Sequence, residues 1–292
     1  MSFNAKVIDY GNGQQTRLYK QPVLSGEELK YLKQLSKNYA REERRLEIER
    51  FKANGGIPSW FPVCDYIEGK IKISDLHTFE YEKIDNSEHY AYTASNRAKK
   101  QVYELVRANV WEYFFTVTFS PEAVDRYDYG ACYSKLSKWL NNMRVRKAPD
   151  LKYMFLPEQH QDGAWHFHGI VSNIGSIKLQ YSHTRTKDGL VIYNCLDWQN
   201  GFTNVTRVKS SEKVSYYITK YITKELQDHI KGRRRYLASQ NLDRPIKTDL
   251  SLTDEEIQNY IFSLDEITYM KTIDMCFNAV QYIESKKAET IA

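Results

Sequence analysis

Apolar and polar positions alternate cleanly over residues 111–119, with Phe115, Val117 and Phe119 on one side and Thr116, Thr118 and Ser120 on the other. That period of two, in a run rich in aromatic and β-branched residues, predicts a strand. Upstream, Ala98, Val102, Leu105 and Val106 recur at helical spacing, and Asn109 ends the helix. Downstream, Cys132, Leu136, Trp139, Leu140 and Met143 form the apolar stripe of another helix, which Ala148, Pro149 and Asp150 stop. Residues 151–172 predict a hairpin of two apolar strands around a turn at Gln161, Asp162 and Gly163. Residues 173–200 read as loop-rich and 201–208 as a strand, and Ser210 and Ser211 cap a helix over about 212–228. Antiparallel hairpins with helices on one face of the sheet define an α+β fold.

The flanks are less legible. Residues 16–20 with Pro22, Val23 and Leu24 predict a short strand, and a charged helix follows over 28–52 with a partial stripe at Leu29, Leu32 and Leu35. Gly55, Gly56 and Pro58 end that helix, because two glycines and a proline cannot continue it cheaply. Residues 66–82 alternate loosely and suggest a hairpin. Residues 233–245 are a basic connector, and Thr253 with Glu256 forms a capping box that opens an acidic, helical C-terminal region. The expected organisation is an accessory region over 1–93, a core over 94–228, and a connector with its tail over 229–292. No internal repeat is evident.

Charge changes this picture more than composition does. Hydrophobic residues make up 41% and charged residues 27%, the balance of an ordinary soluble protein. No apolar run approaches the roughly 20 residues that span a bilayer, so no membrane partner is expected. The first residues lack a secretory signal, and the scattered Cys64, Cys132, Cys195 and Cys276 predict reduced, packed thiols, as in a cytoplasmic protein. The net charge is +5, but from Asp249 onward nine acidic residues face three lysines, a balance of −6 that leaves +11 before it. Basic runs fall at Arg144, Arg146, Lys147 and Lys152, at Arg207, Lys209, Lys213, Lys220 and Lys224, and at Lys231 with Arg233, Arg234 and Arg235. Such runs are the footprint of a polyanionic partner. Some of the 23 tyrosines could stack on unpaired bases.

Two stretches carry candidate chemistry. In the second hairpin strand Trp165 and Phe167 point one way, His166 and His168 the other, and a three-residue loop would set Glu158 opposite His166. Two imidazoles and a carboxylate on one face could hold a metal with open positions, or could be satisfied histidines on a half-buried strand. His160 shares the parity of Glu158 and is the reserve ligand. The second stretch repeats Tyr-Ile-Thr-Lys at 217–220 and 221–224, which places Tyr217 and Tyr221 one turn apart on one helix rim. Lys213, Lys220 and Lys224 neighbour them, Ile218 and Ile222 take the other edge, and Tyr216 projects elsewhere. Packing alone would also explain such a helix.

The strand at 115–119, the Trp165-His-Phe-His-Gly169 run and the Tyr217–Tyr221 helix occur in that order, and together they resemble the three motifs of the HUH endonuclease superfamily. The tyrosine spacing is similar to that of the two-tyrosine rolling-circle replication initiators of single-stranded DNA phages and related plasmids. The likeness covers roughly residues 95–239. It implies a ferredoxin- or RRM-like antiparallel core and metal-dependent nicking and joining of single-stranded origin DNA through a 5′-phosphotyrosine. His166 and His168, with Glu158, would hold Mg²⁺ or Mn²⁺, although imidazoles also accept Zn²⁺. Tyr217 or Tyr221 would be the nucleophile, helped by Lys220 and Lys224, with Lys213, Lys209, Arg207, Arg144, Arg146, Arg233 and Arg234 on the DNA. No phosphate-cradling Gly-x-x-x-x-Gly-Lys loop is present, so a host helicase and polymerase are the expected partners, in a bacterial cytoplasm. A relaxase or transposase of the same superfamily, a zinc hydrolase, and a non-catalytic DNA-binding protein are the alternatives.

Overall fold

The structure is a computed structural model, and it describes residues 2–53, 87–209, 211–219, 233–275 and 278–287. In chain order the strands are β1 (Ser2–Asp9), β2 (Gly13–Leu24), β3 (Tyr113–Val117), β4 (Lys152–Gln159), β5 (Trp165–Ser172) and β6 (Leu179–Arg185). Then come β7 (Val191–Cys195), β8 (Thr203–Arg207), β9 (Leu237–Ala238), β10 (Ile246–Leu250), β11 (Glu266–Met275) and β12 (Asn278–Lys286). The helices are α1 (Gly26–Ala53), α2 (Ser87–Arg107), α3 (Tyr129–Arg146), α4 (Ser211–Thr219) and α5 (Asp254–Phe262).

Seven strands form one antiparallel sheet in the order β6-β7-β8-β3-β5-β4-β9. Its core follows the predicted alternation. Phe115, Val117 and Phe119 turn to one face, where they meet Phe155, Phe167 and the buried stripe Cys132, Leu136, Trp139, Leu140 and Met143 of α3. Asp128 starts α3 by accepting from Gly130 N at 2.7 Å. The opposite face buries Met154, Leu156 and Ile170 beneath Val102 and Val106 of α2 and Val214 and Ile218 of α4. Helices therefore cover both faces, not one as the sequence suggested. The cause lies in β4, where the consecutive residues Met154, Phe155 and Leu156 are all fully buried, so both sides of the strand need apolar cover.

Two of the seven strands fall where loops were expected. In β6, Gln180, Tyr181, His183, Thr184 and Arg185 are all exposed, so this edge strand has no buried face to print an alternation on the sequence.

The remaining strands build a second antiparallel sheet, β10-β1-β2-β12-β11, from the two ends of the chain. The capping box of Thr253 and Glu256 is present, but helix in the acidic C-terminal region is confined to α5 among the described residues. The rest, expected as helical, is largely the β11–β12 hairpin, whose Ile267, Tyr269, Ile273, Tyr282 and Ile283 favour extended backbone. Ile257 and Ile261 of α5 pack on Ala5, Leu18 and Ile283. Helix α2 ties the sheets together: Tyr103 donates to Glu284 at 3.2 Å, Lys247 pairs with Glu104 at 2.6 Å, and the Arg107 guanidinium lies 5.2 Å from the Tyr10 ring. The hairpin suggested at 66–82 and the helix end at Gly55–Pro58 lie outside the described residues.

Candidate active site

The β4–β5 hairpin sets the register that the site depends on. His160 N donates to Ala164 O at 2.8 Å, closing a three-residue loop in which Gly163 adopts φ +88°. That left-handed conformation is open to glycine at little cost. Glu158 then pairs with His166, and Leu156 with His168. Trp165 and Phe167 turn into the α3 side of the sheet, and both histidines turn to the α2 and α4 side. Gly169 is fixed by packing: a Cβ there would lie 2.2 Å from the Phe155 ring.

The three polar side chains converge. His166 Nε2 lies 2.9 Å and His168 Nε2 2.6 Å from the same oxygen, Glu158 Oε2. The ligand atoms of the trio all lie within 4.8 Å of one another, and the imidazole rings stand edge-on at 83°. The histidine side chains are 14% and 11% exposed against 44% for Glu158, so the trio opens to solvent on the carboxylate side. Thr116 sits directly across β3 from His168, with its Oγ1 3.1 Å from Nδ1. Burial pushes the His168 pKa down to about 4, the His166 charge acts in the same direction, and Glu158 opposes both. At neutral pH the ring is therefore neutral, the form that ligates metals. Two imidazole nitrogens, a carboxylate and an oriented second ring nitrogen fit a divalent cation. His160, the reserve ligand, is exposed and turns to Asp162 at 3.2 Å, with its ring 6.1 Å from that of His166.

Helix α4 lies over the same sheet face. Val214 and Ile218 anchor it in the core, and Tyr217 is 45% exposed. The Tyr217 ring meets Phe114 edge-on at 5.4 Å, and Phe114 lies 5.9 Å from the His168 ring. Tyr221, Lys220 and Lys224 lie outside the described residues, as do the side chains of Lys213 and Tyr216.

The basic candidates are dispersed. Arg207 lies 5.2 Å from the Tyr113 ring, on the face away from the triad, and Lys209 and Arg146 are exposed. Lys147 is paired with Asp197, and Lys152 with Asp243. Arg144, Arg233 and Arg234 gather with Arg235 around one cavity at the β9 edge of the sheet. Two residues at the triad had no predicted role, Thr116 and Phe114. Both share the parity of His168 once β3 and β5 are known to be neighbours, and that adjacency was the missing signal.

Residues 112–226 match a family described as replication-associated protein ORF2. The matched segment starts at β3, holds the whole triad and runs through α4 past Tyr221. It supports a role in initiating replication, and with it DNA as the partner. Neither the curated proteins nor the solved structures yield a match.

Proposed function

We propose that this chain initiates rolling-circle replication by nicking one DNA strand and holding its 5′ end on a tyrosine, as in the HUH endonucleases. The observation that carries this reading is the convergence of His166, His168 and Glu158 on one point of the sheet face that α4 covers, inside the segment that matches the replication-associated family. His166, His168 and Glu158 would hold Mg²⁺ or Mn²⁺, and the bound ion would polarise the scissile phosphate.

The chain's own groups do the rest. Thr116 orients the His168 ring through Nδ1. Tyr217 or Tyr221 gives its phenolic proton to solvent, and its oxygen attacks the phosphorus. The P–O3′ bond breaks, and the departing oxygen takes up a proton to become a free 3′-hydroxyl. One phosphodiester is exchanged for another, so rejoining needs no nucleotide. In sequence Lys220 lies between the two tyrosines and Lys224 three residues after Tyr221, cations that would offset charge on the attacking oxygen and the phosphate. The free 3′-hydroxyl suits extension by a host polymerase behind a host helicase.

The test is incubation of the full chain with single-stranded DNA circles carrying a randomised segment, in Mn²⁺ or in chelator. Conversion to linear strands in Mn²⁺ alone supports the proposal. An intact circle under every Mg²⁺ and Mn²⁺ condition contradicts it.

A further inference from the structure

Four arginines lie away from the triad. Helix α3 brings Arg144 to the edge of the sheet, and the segment entering β9 brings Arg233, Arg234 and Arg235. With Tyr133 and Tyr153 they line a cavity of about 600 Å³, and among the described residues that line it none is a carboxylate. The Nε atoms of Arg144 and Arg235 are buried without a hydrogen-bond partner among the described residues. Arg144 has the Tyr153 hydroxyl as a partner, but a buried charged N–H left without an acceptor is costly, so the two Nε groups call for an anion.

The surrounding structure holds the cluster in place. Met154 and Phe155 of β4 pair with Ala238 and Leu237 of β9, and Tyr153 O accepts from Ser239 N at 2.9 Å. The Tyr129 hydroxyl donates to the carbonyl of Arg234, and the Arg233 guanidinium lies 5.7 Å from the Tyr129 ring. Arg233 approaches Asp128 at 3.8 Å, both side chains being more than half exposed, so that pair is weak. Several guanidinium forks around a hollow match the oxygens of a phosphate group. The cavity falls in the size range of small-molecule sites, about 300–1,000 Å³, more than a lone phosphate needs. Tyrosine rings in its wall offer a surface for a base.

We propose that this cavity is a second DNA site, gripping one unpaired, phosphate-bearing nucleotide remote from the nick. Tyr153 and Glu158 share β4 and are five residues apart, which separates cavity and triad by roughly 17 Å along the strand. The cavity wraps the β9 edge, with Tyr133 and Arg144 of α3 on one side and Ala98 of α2 on the other, so the DNA would run from the triad to that edge. Grip at this edge keeps the strand on the protein while its cut end is free to move. The inference rests on DNA being the substrate, but not on the nicking chemistry.

The test is made in chelator, where no nicking occurs. Wild-type protein is treated with phenylglyoxal, which modifies arginine, with and without a thymidine oligonucleotide, and the modified residues are mapped by mass spectrometry. Protection of Arg144 and Arg235 by the oligonucleotide, and not by inorganic phosphate at equal concentration, is the expected result. In parallel, Arg234→Gln with Arg235→Gln should weaken oligonucleotide binding about tenfold and lower its log–log salt slope by about 0.7, the one phosphate contact of the gripped nucleotide. DNA binding without protection of the two arginines overturns this proposal alone, and equal protection by free phosphate overturns the strand assignment. No DNA binding at all removes both this proposal and the replication reading.

Discussion

The Tyr217 ring meets the Phe114 ring edge-on, 5.4 Å between centroids, and Phe114 lies 5.9 Å from the His168 ring. A phenylalanine on the central strand β3 thus neighbours both the helix that carries the proposed nucleophile and the strand that carries the proposed ligands. Ile218, next to Tyr217, is fully buried and sets the depth of the helix on that face. Tyr217→Phe should keep the ring contact and cost little stability while removing the hydroxyl. With Tyr221 four residues on in sequence, each single Tyr→Phe variant should retain some nicking and the double variant none. Tyr216→Phe should be near neutral. Cleavage assays beside thermal melts check all four.

The triad should be as unforgiving as its convergence implies. His166→Ala and His168→Ala are each expected to abolish nicking with the fold largely kept. Glu158→Ala should weaken Mn²⁺ binding about 10-fold or more, in the range measured when a ligand set is disturbed. A Mn²⁺ titration unchanged by Glu158→Ala would move the third ligand to His160.

Thr116 offers a subtler test. Its Oγ1 holds Nδ1 of His168 without being a candidate ligand. Thr116→Val should lower Mn²⁺ affinity about 10- to 100-fold with little change in melting temperature, and Thr116→Ser should restore it. Calorimetric titration reads this directly, and wild-type affinity in Thr116→Val would make the contact incidental.

Most of the triad was legible from residues 151–172, because a two-residue period and a three-residue turn leave one register for Glu158, His166 and His168. Thr116 was not, because nothing local to residues 111–119 says that β3 lies beside β5. The second sheet was hidden for a similar reason: Val7 pairs with Thr248, and Leu18 with Gln281, contacts that no local pattern carries. The arginine runs were visible as charge, but Lys147 and Lys152 are taken up by Asp197 and Asp243, partners from distant segments. The stripe of α3 was legible except for Tyr129 at its start, since one face of that helix meets one continuous core.

Gly169 separates packing from chemistry. A Cβ there would meet the Phe155 ring at 2.2 and 2.3 Å, in a core with no room to yield cheaply. Gly169→Ala should destabilise the protein by roughly 1–3 kcal/mol, the cost of overpacking, and should loosen the adjacent His168. Chemical denaturation measures the first effect, and Mn²⁺ titration of the folded variant measures the second.

The central claim is that the tyrosine helix and the triad act on one phosphate. The most direct measurement combines the full chain with a pool of single-stranded oligonucleotides of randomised sequence in Mn²⁺, followed by denaturing electrophoresis and mass spectrometry of any cross-linked peptide. The predicted result is a covalent protein–DNA species bonded through Tyr217 or Tyr221, absent in chelator and absent in His168→Ala. Cleaved DNA with no covalent species, or an adduct on a tyrosine other than Tyr217 or Tyr221, would contradict the account.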